Sequence, residues 1–472
     1  MKPNEDVVIV GAGPAGLAAA ATLGSYGVSA LLVERRESIS TLPRANTIST
    51  ATMELLRRWG LEERVRARGF DVEWTMLATP SLKEAASGEP VEVGLPTRGA
   101  AALVSPTHPA GVPQSEIEPI LEDFVGSLPS VRIERGVELR SLDELDDGGF
   151  DLRLDGPAGE SSVRSRHLIA ADGIRGGVRS MLGIEAEEEL LEEKLVVTFR
   201  APAWDLVGDH RHVGYFMPDH PRGAFLIPTH APDGWVLGRD WDQGADDLRA
   251  VTPETARAWI RECAGDHDLP IEIGTITTVS YGVALAKTFR RRGAFLAGDA
   301  AHRVTPRGGT GLNMAMRDGF DLGWKLAWVL RGWTDPSLLD SYERERRPVA
   351  EHNVLRSRRP DGSILGSAAG LAADIGGRIQ HTWIARGESL ISTLDLLGEG
   401  LTLFAGPGWK GWAPPSDPGS PPVAVERLDA IAARAIGLTP AGALLARPDG
   451  VAVALWGDAD QVLGRRVVAT GA

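Results

Sequence analysis

Two glycine-rich turns lie most of a chain length apart in this sequence, and both carry residue types that hold polar cofactors. The first, "DVVIVGAGPAGLAAA", reads Gly11-x-Gly13-x-x-Gly16 between an apolar strand and an alanine-rich helix. In that context the first glycine allows a tight turn and the second admits backbone N–H groups to a pyrophosphate. The third lets helix and strand approach closely. Pro14 and Ala15 open the helix, whose N-terminus stabilises phosphate charge. Glu34 ends the next predicted strand, where a carboxylate can accept hydrogen bonds from ribose hydroxyls. The pattern predicts a dinucleotide-binding β-α-β unit without choosing between NAD and FAD.

The second turn is "FLAGDAAHRVTPRGGTGLNMAM", residues 295–316. A strand stops at Asp299, a loop carries Pro306, and a helix is predicted to begin near Gly311, Leu312 and Asn313. One dinucleotide fingerprint reaches only the adenosine and pyrophosphate. FAD is longer, and its ribityl chain and ring need support from elsewhere in the chain. Asp299 is suited to accept from ribityl hydroxyls. The amides at 311–313 can bind the ring carbonyls and favour negative charge there, a dipole effect of ~0.3–2 kcal/mol. The two turns are therefore predicted to be two ends of one FAD site.

The elements around these turns set their positions. Residues 7–10, 14–26 and 30–33 read as the β-α-β unit, 52–68 and 115–128 as helices, and 131–139, 150–154 and 165–171 as strands. Residues 71–110 read as irregular. Between about 185 and 285 strands follow one another without long helices, which predicts an antiparallel sheet inserted in an α/β domain. Helices return at 311–330 and 338–357, and a tail offers two strands, 401–404 and 451–455.

At 472 residues the chain is long enough for two or three domains. Its 64 acidic and 50 basic residues leave a net charge of −14, which repels phosphate backbones and argues against a nucleic-acid partner. The single cysteine, Cys263, excludes an intramolecular disulfide and a cysteine metal cluster, and reads as a small core or surface residue. His210 and His212 lack a third ligand and read as strand decoration, so no metal is expected. No apolar run is long enough to span a membrane, and the expectation is a cytoplasmic monomer or homodimer.

Beyond this residue-level reading, "GAGPAGL", "ERR" at 34–36, "PRA" at 43–45, "ADG" at 171–173 and "AGDAAHRVTPRGGTGLNMAMRDGFDLGWKLA" resemble the single-component FAD-dependent aromatic hydroxylases, the para-hydroxybenzoate hydroxylase group. "STLDLLGEGLTLFAG" and "LLARPDGVAVAL" resemble the thioredoxin-like tail of members that tailor polyketides and other polycyclic natural products. The resemblance implies an α/β fold. A Rossmann-like FAD domain (1–70, 100–184 and 286–360) would carry an inserted antiparallel substrate domain (71–99 and 185–285). A helical linker (361–394) and a short thioredoxin-like domain (395–472) would follow. It implies that Glu34 and Arg35 meet the adenosine ribose, and that Arg44 and Gln114 reach the phosphates and ribityl chain. Val137 would meet adenine, Asp172 would hold FAD and shape nicotinamide docking, Asp299 would bind the ribityl chain, and Pro306 would lie against the ring. Gly311, Leu312 and Asn313 would meet its pyrimidine edge. Arg317-Asp318-Gly319-Phe320 stands in place of a more usual Asp-Ala-x-Asn, so helix packing there is expected to differ.

The implied activity is a monooxygenase in which NADPH or NADH reduces FAD transiently, O2 adds, and a flavin C4a-hydroperoxide hydroxylates an aromatic or polycyclic phenolic substrate. The flavin carries the chemistry, so no catalytic side chain is singled out. The substrate is expected against the inserted sheet, at Tyr215, Trp235 and Arg239. Arg239 reads either as a ligand for a phenolate or carboxylate or as an arginine stacked on tryptophan. Two alternatives remain open at this stage: Baeyer–Villiger oxygen insertion, and a non-catalytic FAD-fold protein that sequesters a ligand. A halogenase is disfavoured, because "GAFLIP" at 223–228 lacks both tryptophans of that family's motif.

Overall fold

A computed structural model of the chain describes residues 4–40, 45–92, 96–220, 222–229, 231, 233–242, 244–359, 374–411 and 419–457. The centre of its first sheet is a parallel stack around the strand Asn4–Val10, where Val7, Val8 and Ile9 are completely buried, with antiparallel strands added at the margins. Asn4–Val10 pairs in parallel with Ala30–Glu34 on one side and Gly159–Ala170 on the other. Val131–Arg135 extends one edge and Ala294–Leu296 the other, both parallel. The continuous apolar run of Asn4–Val10 follows from this burial on both faces.

Two helices cover this sheet and lie against one another: Pro14–Ser25, which leaves the first turn, and Gly311–Leu330, which leaves the second. Their approach depends on glycine. A Cβ at Gly319 would stand 2.2 Å from the Ala15 carbonyl oxygen and 2.7 Å from the Ala19 nitrogen, and one at Gly323 would stand 2.6 Å from Thr22 Cβ. The departure at 317–320 is thus a packing device: Gly319 allows the two turns to sit side by side.

The second sheet is built mostly from antiparallel pairs. Its order is His302–Arg303, Glu272–Ala286, Ala186–Arg200, Gly234–Trp241, Ala224–Pro228, His212–Met217, Glu73–Ala78 and Glu89–Glu92. The helix Pro253–Ala264 packs on one of its faces through Ala256, Ile260 and Cys263, against Leu195, Val197, Phe199 and Leu237. Cys263 is a buried core residue, and burial pushes its thiol up to about 12. Two expectations are corrected here. Residues 71–110 are not irregular throughout, since Glu73–Ala78 and Glu89–Glu92 join the sheet as a hairpin. The inserted region does carry a substantial helix, Pro253–Ala264, and Glu272–Ala286 is one of its two longest strands, at 15 residues, with Ala186–Arg200 the other.

The tail is richer than its two predicted strands. Val423–Arg427, Leu401–Ala405, Ala443–Ala446 and Ala452–Trp456 form a four-stranded sheet in that order, with the first pair parallel and the others antiparallel. This is a thioredoxin-like arrangement. The expected helical linker is also corrected in its described part: Trp383–Arg386 and Ser389–Ser392 pair as a hairpin, while 360–373 lie outside the described residues. The tail docks on the first domain through buried polar contacts. Tyr26 Oη and Trp328 Nε1 both donate to the Glu399 carbonyl, at 2.8 and 2.9 Å. Arg447 bridges Glu345 at 2.9 Å, and Lys325, fully buried, bonds Asp321 and Glu345 at 2.7 and 2.8 Å.

Candidate active site

The first turn is shaped by backbone crowding. Gly11 has φ +106°, and a Cβ there would stand 2.3 Å from the Ala171 carbonyl oxygen; one at Gly16 would stand 1.9 Å from the Gly11 oxygen. Around Gly13 a Cβ would meet nothing within 4 Å, so this is the open side of the turn. Gly13 caps the helix Pro14–Ser25 with no side-chain acceptor, which leaves the first-turn amides of a 12-residue helix for a ligand. Glu34 braces the loop: its carboxylate accepts from the Ala12 and Arg36 amides, each at 2.9 Å. Val137 lies beside it, donating its amide to the Glu34 carbonyl at 3.0 Å. Arg35 is exposed, and Arg44 lies outside the described residues.

Asp172 follows the central strand that runs beneath this turn. Its Oδ2 accepts from the Val178 amide at 3.0 Å, while Oδ1 is buried without a protein partner, and burial raises its carboxyl pKa. Gln114 starts the helix Gln114–Gly126, but its side-chain amide donates to Glu118 at 2.6 Å. The side chain is thus engaged within its own helix.

The second turn is shaped by a buried polar network. Asp318 is completely buried; its Oδ2 accepts from His302 at 2.6 Å and from the Gly298 amide at 3.1 Å, and its Oδ1 accepts from Arg346 at 2.7 Å. Burial opposes its ionisation, but the charges of His302 and Arg346 outweigh burial and bring it down to about 2. This network fixes Gly298, which has φ +60° and whose Cβ would approach Ala15 and Ala315 at 3.0 and 3.2 Å. The strand end before Asp299 is thereby held between the two turn helices. Asp299 itself is exposed, as is Pro306.

Gly311–Leu330 also begins without a side-chain cap, leaving the amides of Gly311, Leu312 and Asn313 without acceptors inside the helix. The Asn313 side chain has another task. It donates to the Thr47 and Gly309 carbonyls at 3.1 and 2.7 Å and accepts from the Ser49 amide at 2.8 Å. It therefore ties the 46–49 segment to the glycine loop and offers a ligand only its backbone N–H.

A cavity of about 1020 Å³ lies between the second sheet and this site. Val196, Thr198, Ile227, Val236 and Thr277 line its sheet side, and Asn46, Ile174 and Arg175 its opposite side. Those last three flank the Thr47 carbonyl and Asp172, so the cavity adjoins the cofactor residues. The substrate residues expected on the sheet are partly corrected. Side chains alternate along Gly234–Trp241, so Trp235, Leu237 and Arg239 turn to the helix side and Val236 to the cavity. Tyr215 is fully buried and donates to the His210 carbonyl at 2.8 Å. Arg239 lies 4.0 Å over the Trp259 ring, the tryptophan-stacking alternative. Neither lines the cavity; Trp235 borders it from within the core, 4.8 Å from Trp204.

These residues fit FAD. There are two uncapped helix N-termini side by side, one open glycine, and one buried carboxylate oxygen aimed at no protein group. Residues 4–357 match the family described as FAD binding domain. The chain belongs to that family. Tetracenomycin A2 monooxygenase-dioxygenase of Streptomyces glaucescens is 32% identical, over 94% of this chain and 92% of its own length. Aklavinone 12-hydroxylase of Streptomyces purpurascens is 33% identical over 94% of each. The solved ternary complex of aklavinone-11 hydroxylase with FAD and aklavinone superposes with a TM-score of 0.86 at 29% identity, covering 97% of this chain and 96% of that one. The protein is an FAD-dependent monooxygenase of the aromatic and polyketide hydroxylase type, with NAD(P)H as its reductant. Among the described residues no helix is long and apolar enough to cross a membrane.

Proposed function

We propose that this monooxygenase hydroxylates a polycyclic phenolic, polyketide-like molecule bound in the cavity between the second sheet and the two turns. The cavity carries this reading: its size is at the upper end of small-molecule sites, too large for a single ring to fill. When bound, FAD supplies the activation of O2 after reduction by NAD(P)H. The chain's own residues bind, orient and exclude water. Gly13 and the amides of Pro14–Ser25 would hold the pyrophosphate, Glu34 and Arg35 the adenosine ribose, and Val137 the adenine. Arg44 and Gln114 would complete the phosphate side. Asp299 would accept from the ribityl chain, Asp172 would offer its unpaired Oδ1, and the Gly311–Asn313 amides would face the ring edge with Pro306 beside it. Val196, Ile227 and Val236 give the substrate an apolar floor, and Thr198, Thr277 and Ser280 give it hydroxyl partners. In domain terms, 1–70, 100–184 and 286–360 would carry the cofactor and 71–99 with 185–285 the substrate.

The test is to follow NADPH and NADH oxidation by the flavin-loaded protein across a panel of polycyclic phenols, with product mass measured. Ligand-stimulated oxidation and a product heavier by one oxygen on a ring carbon are expected. Oxygen inserted beside a ketone would favour the Baeyer–Villiger alternative. A yellow protein that binds the phenols without oxidising NAD(P)H would favour the sequestering one.

A further inference from the structure

Although the chain as a whole is strongly acidic, its cavity is not. The ionisable side chains lining it are Arg175, Arg200, Arg303 and Glu272. Arg200 is neutralised by Asp233 at 3.0 Å, and Glu272 is exposed at the mouth. Arg175 and Arg303 form no ion pair among the described residues. Arg303 is the more enclosed of the two. It follows His302, which the Asp318 network locks in place, and its backbone pairs with Ala284 on the edge of the sheet. Its guanidinium donates to the Ser280 carbonyl at 2.7 Å. Gly282 makes room for it, since a Cβ there would stand 3.3 Å from Arg303 Nη1. One neutral carbonyl uses one of five N–H donors and none of the charge.

We infer that Arg303 is a specificity-determining residue, which selects a substrate carrying an anionic oxygen on its ring system, a carboxylate or an acidic phenol. The inference rests on the cavity being the substrate site. A half-buried guanidinium without a carboxylate gains most from a ligand that supplies one, because charge-assisted hydrogen bonds are shorter and stronger than neutral ones. The low-dielectric walls of Val196, Ile227 and Val236 strengthen that attraction.

The experiment measures binding to the flavin-loaded protein through the perturbation of flavin absorbance, with three probes of similar shape: anthraquinone-2-carboxylate, alizarin and the neutral anthraquinone-2-carboxamide. At low salt the carboxylate, the phenol or both should bind more tightly than the carboxamide by about tenfold to a hundredfold. Which of the two does so identifies the source of the anionic oxygen. Arg303→Gln should abolish the preference while leaving carboxamide binding and flavin content unchanged, and Arg303→Lys should restore part of it. Equal binding of all three probes, or a preference that survives Arg303→Gln, would overturn the inference and leave the cavity reading standing. Failure of every probe to bind the yellow wild-type protein would overturn both.

Discussion

The two turns do parallel work by different means. The first is made of backbone: Gly11 and Gly16 fit because any Cβ would strike a carbonyl, and Glu34 braces the loop through two amides. The second is made of side chains: Asp318, His302 and Arg346 lock Gly298, and Asn313 ties the glycine loop to Thr47 and Ser49. A turn of the first kind should fail by steric strain. A turn of the second kind should fail by loss of charge.

The largest expected effect is therefore in the second turn. Asp318→Ala leaves Arg346 buried without its carboxylate, and should destabilise the protein by about 3–5 kcal/mol in urea unfolding. The pH dependence sharpens the point. Asp318 titrates at about 2 in the folded protein, below the ordinary aspartate value of ~3.9. Its contribution is thus complete above about pH 4 and is lost as pH falls toward 2. The gap between wild type and Asp318→Asn should narrow over that window, while a gap constant from pH 5 to pH 2 would show that charge is not what holds the turn.

Gly11→Ala comes next, at about 1–3 kcal/mol from backbone strain alone, with no such acid dependence. Asn313→Ala should cost about 1–3 kcal/mol through the unpaired Ser49 amide and Thr47 and Gly309 carbonyls. Gly13→Ala should change stability by less than about 0.5 kcal/mol, since a methyl meets open space, yet weaken FAD by roughly tenfold or more. If Gly13→Ala were as destabilising as Gly11→Ala, the division of the first turn into a crowded side and an open side would be wrong.

The same contrast explains what the sequence revealed. The first turn is legible down to the crowding at Gly11 and Gly16, because local backbone conformation is written in adjacent residues. The β-α-β unit, the 311–330 helix and the pairing of the two turns followed from that. Asp318 stands out in sequence only as part of the 317–320 departure, and its buried network does not, because its partners His302 and Arg346 lie 16 and 28 residues away and only the fold assembles them. Gly319 and Gly323 carried a signal that could have been used: two small residues one helical turn apart, which mark a close helix crossing. On the substrate sheet the strand Gly234–Trp241 is legible, but of the three residues named there Tyr215 and Arg239 do not line the cavity. Trp235 and Trp241 draw attention to themselves, and the side they share with Leu237 and Arg239 is here the one packed on the core. In a strand buried on one side and lining a cavity on the other, alternation does not say which side is which.

The central claim is that both turns serve one FAD. Titrating the flavin-free protein with FAD, alongside Gly13→Ala and Asp299→Ala, tests it most directly. The account predicts one FAD per chain, with affinity lowered by either substitution. A second equivalent of FAD, or an Asp299→Ala protein that binds FAD as tightly as wild type, would contradict it.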